Sequence, residues 1–297
     1  MKVLVTGSNG LLGQKLSDLL LKENVDFMAT GQGDNRYPKK MNYQSMDITN
    51  LEDYSVIEDY KPSVIINTAA MTNVDLCESE NKACMELNVH SVEKLVSVAN
   101  KIGAQLIHLS TDFIFDGKKS MYTEDDKPNP LSFYGNSKYL AEQYIIQNSH
   151  NYSIVRTVLV YGIVADMSRT NIVLWAKGAL EKQQEIKVVN DQFRTPTLAE
   201  DLAMGCYLIA QQKANGIFHI AGKDYMSIYE LVQRVAKHYG LSTDCMTASD
   251  STTLNQPAKR PPITGLDISK AIKQLGYAPH SFEQGLALLD LQMKENS

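Results

Sequence analysis

Little in this chain points to disulfide stapling, to a membrane or to nucleic acid. Four cysteines in 297 residues, Cys77, Cys84, Cys206 and Cys245, show neither CxxC nor metal-ligand spacing and are too few for a disulfide framework. They read as reduced thiols, which implies a cytoplasmic protein. No segment approaches the roughly 18 to 20 continuous apolar residues of a membrane span, so no membrane partner is expected. Lys and Arg number 29 against 34 Asp and Glu, a net charge of −5. A phosphate-tracking surface normally carries a basic excess, so nucleic acid is not an expected partner. The six histidines are scattered, and no metal site is expected. The first residues, Lys2-Val3-Leu4-Val5-Thr6, read as a strand rather than a charged leader before an apolar core. There is no internal repeat and no low-complexity linker.

What is present is ordinary for a globular chain, with 43% hydrophobic and 21% charged residues and length enough for a sizeable core. Val3-Leu4-Val5 leads straight into Gly7-Ser8-Asn9-Gly10-Leu11-Leu12-Gly13, and Gln14 to Leu21 then carries apolar residues at helical spacing. The order strand, glycine turn, helix is the context that makes a glycine motif meaningful. It gives a tight turn, close backbone approach and a helix N-terminus for a pyrophosphate. A second strand, Phe27 to Thr30, ends without the acid that would bind ribose hydroxyls; instead Arg36 follows, within reach of a 2′-phosphate. This tilts the cofactor toward NADP(H) over NAD(H), with Asp34 pulling the other way. Asp47 and Ile48 stand at another strand end, where Asp47 either meets an adenine amino group or caps the helix beginning near Leu51.

Val64-Ile65-Ile66-Asn67-Thr68-Ala69-Ala70 suits a strand buried on both faces that stops in small residues, leaving room for a flat ligand. In the long helical pattern ending at Gly103, Asn88 is a poor interior residue and is placed to hold a backbone carbonyl or a water. Gln105 to Leu109 is a buried strand ending in Ser110-Thr111-Asp112. Tyr134 and Lys138 lie four apart at the start of a helix and so share a face. An ammonium beside a phenol favours the phenolate, which makes a proton donor usable near neutral pH. Between that strand and Tyr134, Tyr122 to Pro130 reads as a loop over the C-terminal edge of a sheet.

Beyond Tyr161 the alternation loosens. A helix opens at Asn171, Ile186 to Val189 is a strand, Phe193 to Thr197 a turn, Ile217 to Ile220 a strand, and Ile268 to Leu275 a short helix. Trp175 reads as core or interface. The expected fold is α/β, a Rossmann-type doubly wound parallel sheet over residues 1–160, completed by part of 190–220. A smaller lid covers mainly 161–297, with the chain crossing between the two.

Taken in order, Gly7-Gly10-Gly13, Asn67-Thr68-Ala69-Ala70, Ser110-Thr111-Asp112 and Tyr134-x-x-x-Lys138 resemble an extended short-chain dehydrogenase/reductase. The runs Met71-Thr72-Asn73-Val74-Asp75, Phe113-Ile114-Phe115-Asp116-Gly117, Arg156-Thr157, Asn190-Asp191-Gln192-Phe193 and Arg260-Pro261 narrow the resemblance to dTDP-4-dehydrorhamnose reductases along essentially the full chain. Two positions depart from that family: Leu159 stands where Trp is frequent, and Arg194 where Gly is frequent.

The resemblance implies reduction of the 4-keto group of dTDP-6-deoxy-L-lyxo-4-hexulose to dTDP-L-rhamnose, with a nucleotide-sugar substrate and room for a homodimer. Thr111, Tyr134 and Lys138 would be catalytic. Gly7, Asn9, Gly10, Leu11, Leu12, Gly13, Arg36, Asp47, Ile48, Ala69 and Ala70, with Tyr134 and Lys138, would hold the cofactor. Thr72, Val74, Asp112, Asn171 and Arg260 would meet the substrate, Arg260 at the diphosphate. The same architecture resembles the regulatory β subunit of methionine adenosyltransferase, a non-catalytic alternative. A nucleotide-sugar epimerase is a third reading, against which the missing acid at Thr30-Gly31-Gln32 speaks.

Overall fold

The computed structural model describes residues 1–165, 170–253 and 256–295. Seven strands form one sheet: β1 (Lys2–Thr6), β2 (Asp26–Gly31), β3 (Tyr43–Ser45), β4 (Val64–Asn67), β5 (Gln105–Thr111), β6 (Tyr152–Thr157) and β7 (Gly216–His219). Their order is β7-β6-β5-β4-β1-β2-β3 and every pairing is parallel. The strand order reverses between β1 and β4, the crevice where open α/β sheets bind ligands.

Strand side chains alternate between two cores. Val3, Val5, Ile66, Ile107 and Val155 pack with Leu16 and Leu20 of α1 (Leu11–Lys22). Leu4, Ile65, Leu106 and Ile154 face the opposite way, against Leu95 and Val96 of α2 (Ser91–Ile102) and Ala141 and Ile145 of α3 (Phe133–Asn148). The sheet is therefore buried on both faces, and the doubly wound Rossmann-type expectation holds.

A third core lies outside the sheet. It joins Val173 and Leu180 of α4 (Ile172–Glu181), Leu231 and Val235 of α6 (Ile228–Tyr239) and Leu286 and Leu289 of α7 (Phe282–Glu295). The helix α5 (Ala199–Gln212) packs instead against β-sheet residues, through Leu202 and Ile209. Trp175 is 37% exposed and not a core residue.

A four-stranded sheet, in the order Met226–Ser227, Phe193–Arg194, Ile263–Leu266, Lys118–Tyr122, connects distant parts of the chain. Part of the expected turn at 193–197 is thus strand, and a further strand precedes the loop at Tyr122. Both are recruited by partners: Phe193 pairs with Ile263 in parallel and with Ser227 antiparallel, and Lys118 pairs with Ile263 on its other side. The helix α7 escaped the sequence reading because Gly285 interrupts its pattern. Glycine is required there, since a Cβ would run into the Tyr161 hydroxyl.

Candidate active site

At the β1–α1 junction the glycines are dictated by contact. Gly7 has φ +67°, and a Cβ there would lie 2.7 Å from the Ala69 nitrogen; at Gly13 it would lie 2.5 Å from the Gly7 oxygen. Only glycine lets the turn lie this close to the end of β4 and to its own helix. Gly10 begins α1 without a side-chain cap, so the helix N-terminus keeps its N–H groups available. Among the described residues the buried Ser8 hydroxyl has no partner.

Asn9 is committed to tying a neighbouring loop to this turn. Its amide donates to the Asp34 carbonyl at 3.0 Å and its oxygen accepts from Arg36 N–H at 2.9 Å. Arg36 is exposed. Asp47 accepts from Gln32 at 2.8 Å and from the Thr49 hydroxyl at 2.7 Å. It does not cap the helical turn at Leu51; Asn50 does, accepting from Glu52 N–H at 3.2 Å. Ile48 is buried, while Ala69 and Ala70 are half-buried. Leu11 packs under Gly162, and Leu12 joins the core beside α1.

The other half of the site forms where β5 ends. Thr111 caps the short turn Asp112–Ile114, accepting from Phe113 N–H at 3.2 Å. Ser132 caps α3, accepting from Gly135 N–H at 3.1 Å. Together these bring Tyr134, at the start of α3, close to Thr111 at the end of β5, whose hydroxyl donates to Asp112 at 3.1 Å. The Tyr134 ring meets Phe113 edge-on at 5.8 Å, in a small cluster with Cys77 and Cys84. Burial pushes the phenol pKa up, and the Thr111 hydrogen bond pulls it back. Burial thus outweighs the lowering expected from Lys138, because the phenolate is poorly solvated there; burial also lowers the Lys138 pKa to about 8.

Lys138 has a partner the motif reading missed. Its Nζ lies 3.1 Å from His108 Nε2, and His108 Nδ1 lies 3.1 Å from Asn67 Nδ2. The signal was available, since His108 is the one ionisable side chain inside the apolar run of β5. Asn88 sits on the π-helical turn Glu86–His90 and brackets Met71, accepting from its N–H at 2.8 Å and donating to its carbonyl at 3.1 Å. It also donates to Ser137 at 3.1 Å, which fixes the floor beneath Tyr134.

The residues expected at the substrate are dispersed in role. Val74 packs on the Tyr134 cluster and Thr72 is exposed just before it. Arg260 forks onto Asp75 at 2.7 and 3.0 Å. Asp112 is buried, with Thr264 donating to it at 2.5 Å and Arg194 Nε at 3.6 Å. Asn171 caps α4 and donates to the Gly162 carbonyl at 2.7 Å. Arg194 is itself 4% exposed and donates to the carbonyls of Pro261 and Pro262 at 2.7 and 2.9 Å. Its long side chain is therefore an internal brace rather than a pocket wall.

Among the described residues no helix is long and apolar enough to cross a membrane, and no group of three His, Cys, Asp or Glu could hold a metal ion. The glycine cradle and the unpartnered Ser8 and Ser110 hydroxyls fit a dinucleotide lying across the strand ends.

A Rossmann-type sheet with a threonine, tyrosine and lysine gathered at the end of β5 defines an extended short-chain dehydrogenase/reductase. The chain belongs to the RmlD substrate binding domain family, whose model matches residues 1–293. The β subunit of methionine adenosyltransferase 2 from Danio rerio is 31% identical, over 94% of this chain and 86% of that protein. A dTDP-4-dehydrorhamnose reductase from Clostridium acetobutylicum superposes with a TM-score of 0.88 at 30% identity, covering 99% of this chain and 100% of the other. The dTDP-4-dehydrorhamnose reductase of Bacillus anthracis, solved with NADP, gives 0.87 at 26% identity over 98% and 99%.

Proposed function

We propose that this chain reduces the 4-keto group of a nucleotide-linked 6-deoxy sugar with NAD(P)H, and most specifically converts dTDP-4-dehydrorhamnose to dTDP-L-rhamnose. The observation that carries this reading is the Tyr134 phenol beside Thr111, across the switch point from the glycine cradle. When bound, the reduced nicotinamide supplies a hydride. Tyr134 gives its proton to the sugar oxygen as an alkoxide develops, and Thr111 donates a hydrogen bond to the same oxygen. Lys138 holds the nicotinamide ribose and, once charged, eases proton loss from Tyr134.

In this reading residues 1–160 with β7 carry the cofactor, and 161–297 mainly the sugar nucleotide. Arg36, anchored through Asn9, selects NADP(H) by its reach to a 2′-phosphate. Arg260, oriented by Asp75, meets the diphosphate through the donors its ion pair leaves over. Thr72 and Val74 flank the sugar, while Asp112 and Asn171 shape its pocket through Thr111 and α4.

The test is purified protein with NADPH or NADH against dTDP-4-keto-6-deoxy sugars, followed at the nicotinamide absorbance. Stoichiometric oxidation with formation of dTDP-L-rhamnose is expected. The second reading, a regulatory subunit, draws on the likeness to the methionine adenosyltransferase β subunit, which is as close in identity as the reductase. Cofactor binding without turnover, together with capture of a methionine adenosyltransferase catalytic chain, would select it.

A further inference from the structure

Behind Lys138 runs a buried chain of polar side chains that the reaction as proposed does not use. The Thr6 hydroxyl donates to Asn67 Oδ1 at 2.6 Å, and Ala69 N–H reaches the same oxygen at 3.3 Å. With its oxygen on these two donors, the Asn67 carboxamide turns its Nδ2 to His108 Nδ1. An amide nitrogen can only donate; Nδ1 must then accept, and the imidazole proton sits on Nε2. That proton faces Lys138 Nζ across 3.1 Å. An ammonium has no lone pair with which to receive it, so this arrangement requires Lys138 to be a neutral amine.

An ammonium at the same place would need Nε2 as an acceptor. The imidazole proton would then move to Nδ1, and the Asn67 carboxamide would turn over to present its oxygen, with the Thr6 hydroxyl reversing to accept from Nδ2 and Ala69 N–H giving up its long 3.3 Å contact. His108 is 1% exposed and Asn67 1% exposed, so water does not compete for these positions.

We propose that His108 is a positioning residue whose tautomer, selected by Asn67, is locked to the charge of Lys138. One solvent proton added to Lys138 Nζ is accompanied by transfer of the imidazole proton from Nε2 to Nδ1, with the ring neutral throughout. The groups facing Lys138 are few. Glu142 lies one turn on along α3 and is paired with Arg156 at 2.7 Å, and the Cys84 thiol approaches from the segment Asn81–Met85; both favour the ammonium. Tyr134 precedes Lys138 by one turn, and Asp112 faces Tyr134 rather than the amine. Burial opposes the ammonium and prevails over Glu142 and Cys84, leaving Lys138 near 8, while burial and then the Lys138 charge keep His108 from becoming a cation. The consequence for activity rests on the reductase reading: the ammonium is the form that binds the cofactor ribose, so the His108–Asn67 pair sets the pH at which the site is ready.

The test uses the full chain without cofactor, labelled with ¹⁵N-histidine, with the His108 resonances assigned by their loss in His108→Gln. A neutral imidazole that is Nε2–H above about pH 8 and Nδ1–H below it is expected. One tautomer throughout, or an imidazolium, overturns the proposal. A second measurement is the pH dependence of NADPH affinity. In His108→Gln the side-chain oxygen accepts from the ammonium without any linked tautomer, so the alkaline limb is expected to move up by about one pH unit. An unmoved limb with a folded variant also overturns it. Absence of NADPH binding at every pH would defeat the reductase reading and leave the tautomer measurement standing.

Discussion

Gly135, at the third position of α3, lies directly against the carbonyl oxygen of Phe113, so that a Cβ on it would collide with that oxygen. This contact sets how closely the Tyr134 helix approaches the end of β5, and hence whether Tyr134 reaches Thr111. The obstacle is backbone, which cannot swing away as a side chain could. Gly135→Ala should therefore cost about 1–3 kcal/mol of stability by overpacking. It should also lower turnover about 10²-fold by displacing the phenol. Thermal unfolding and steady-state rates check both; a wild-type rate would mean that the approach of α3 does not position Tyr134.

Tyr134→Phe keeps the edge-on contact with Phe113 and removes the transferable proton. A general acid contributes about 10² to 10⁴ in rate. We expect kcat to fall by at least the lower figure while the Kd for NADPH, measured by calorimetry, stays within about twofold. Retained turnover on dTDP-4-dehydrorhamnose would remove Tyr134 from the mechanism.

Arg36→Ala tests cofactor choice. Loss of a charge-assisted contact to a 2′-phosphate should weaken NADPH by about tenfold or more. NADH, which has no phosphate there, should bind as before. Equal weakening of both would place Arg36 in the loop's architecture rather than at the phosphate.

Two buried histidines make stability depend on pH. Burial, then the Arg156 charge, holds His219 down at about 3, and His108 is also pushed well below its ordinary value by burial. Unfolded, each would titrate near about 6.5. Between that pH and the folded value the unfolded chain binds more protons. Stability therefore rises with pH through this window and levels off above it, with a slope of up to about 1.4 kcal/mol per pH unit for each residue. His219→Gln cannot titrate and should flatten the slope between pH 6 and 4 in urea titrations. An unchanged slope would falsify the assignment to His219.

The sheet and the glycine turn were legible because each follows from local chemistry: apolar runs suited to strands buried on both faces, and the order strand, glycine turn, helix; the spacing of Tyr134 and Lys138 likewise sets them one turn apart on α3. What escaped was set by partners far along the chain. Arg194 was legible only as a departure from a frequent Gly; in the fold it braces the carbonyls of Pro261 and Pro262. No local pattern could reveal that, because its acceptors are backbone atoms in a segment remote in sequence. Asp47 was a candidate helix cap until Asn50, three residues on, took the position. The strand Lys118–Tyr122 is too polar to announce itself and exists because Ile263–Leu266 lies alongside. His108 stood in plain view, but its meaning depends on Lys138 arriving from another helix.

The pairing of Lys118–Tyr122 with Ile263–Leu266 also bears on how the protein comes to be folded. Thr264, in the later strand, supplies the hydrogen bond that holds Asp112 beside Thr111. Until residue 264 has been synthesised and closes that long loop, the end of β5 lacks its support. The main sheet, whose last strand is β7, can be in place before then. The protein thus acquires its nucleotide cradle early in synthesis and its proton donor's setting near the end, so chains truncated short of Ile263 should hold a fold without a finished active site.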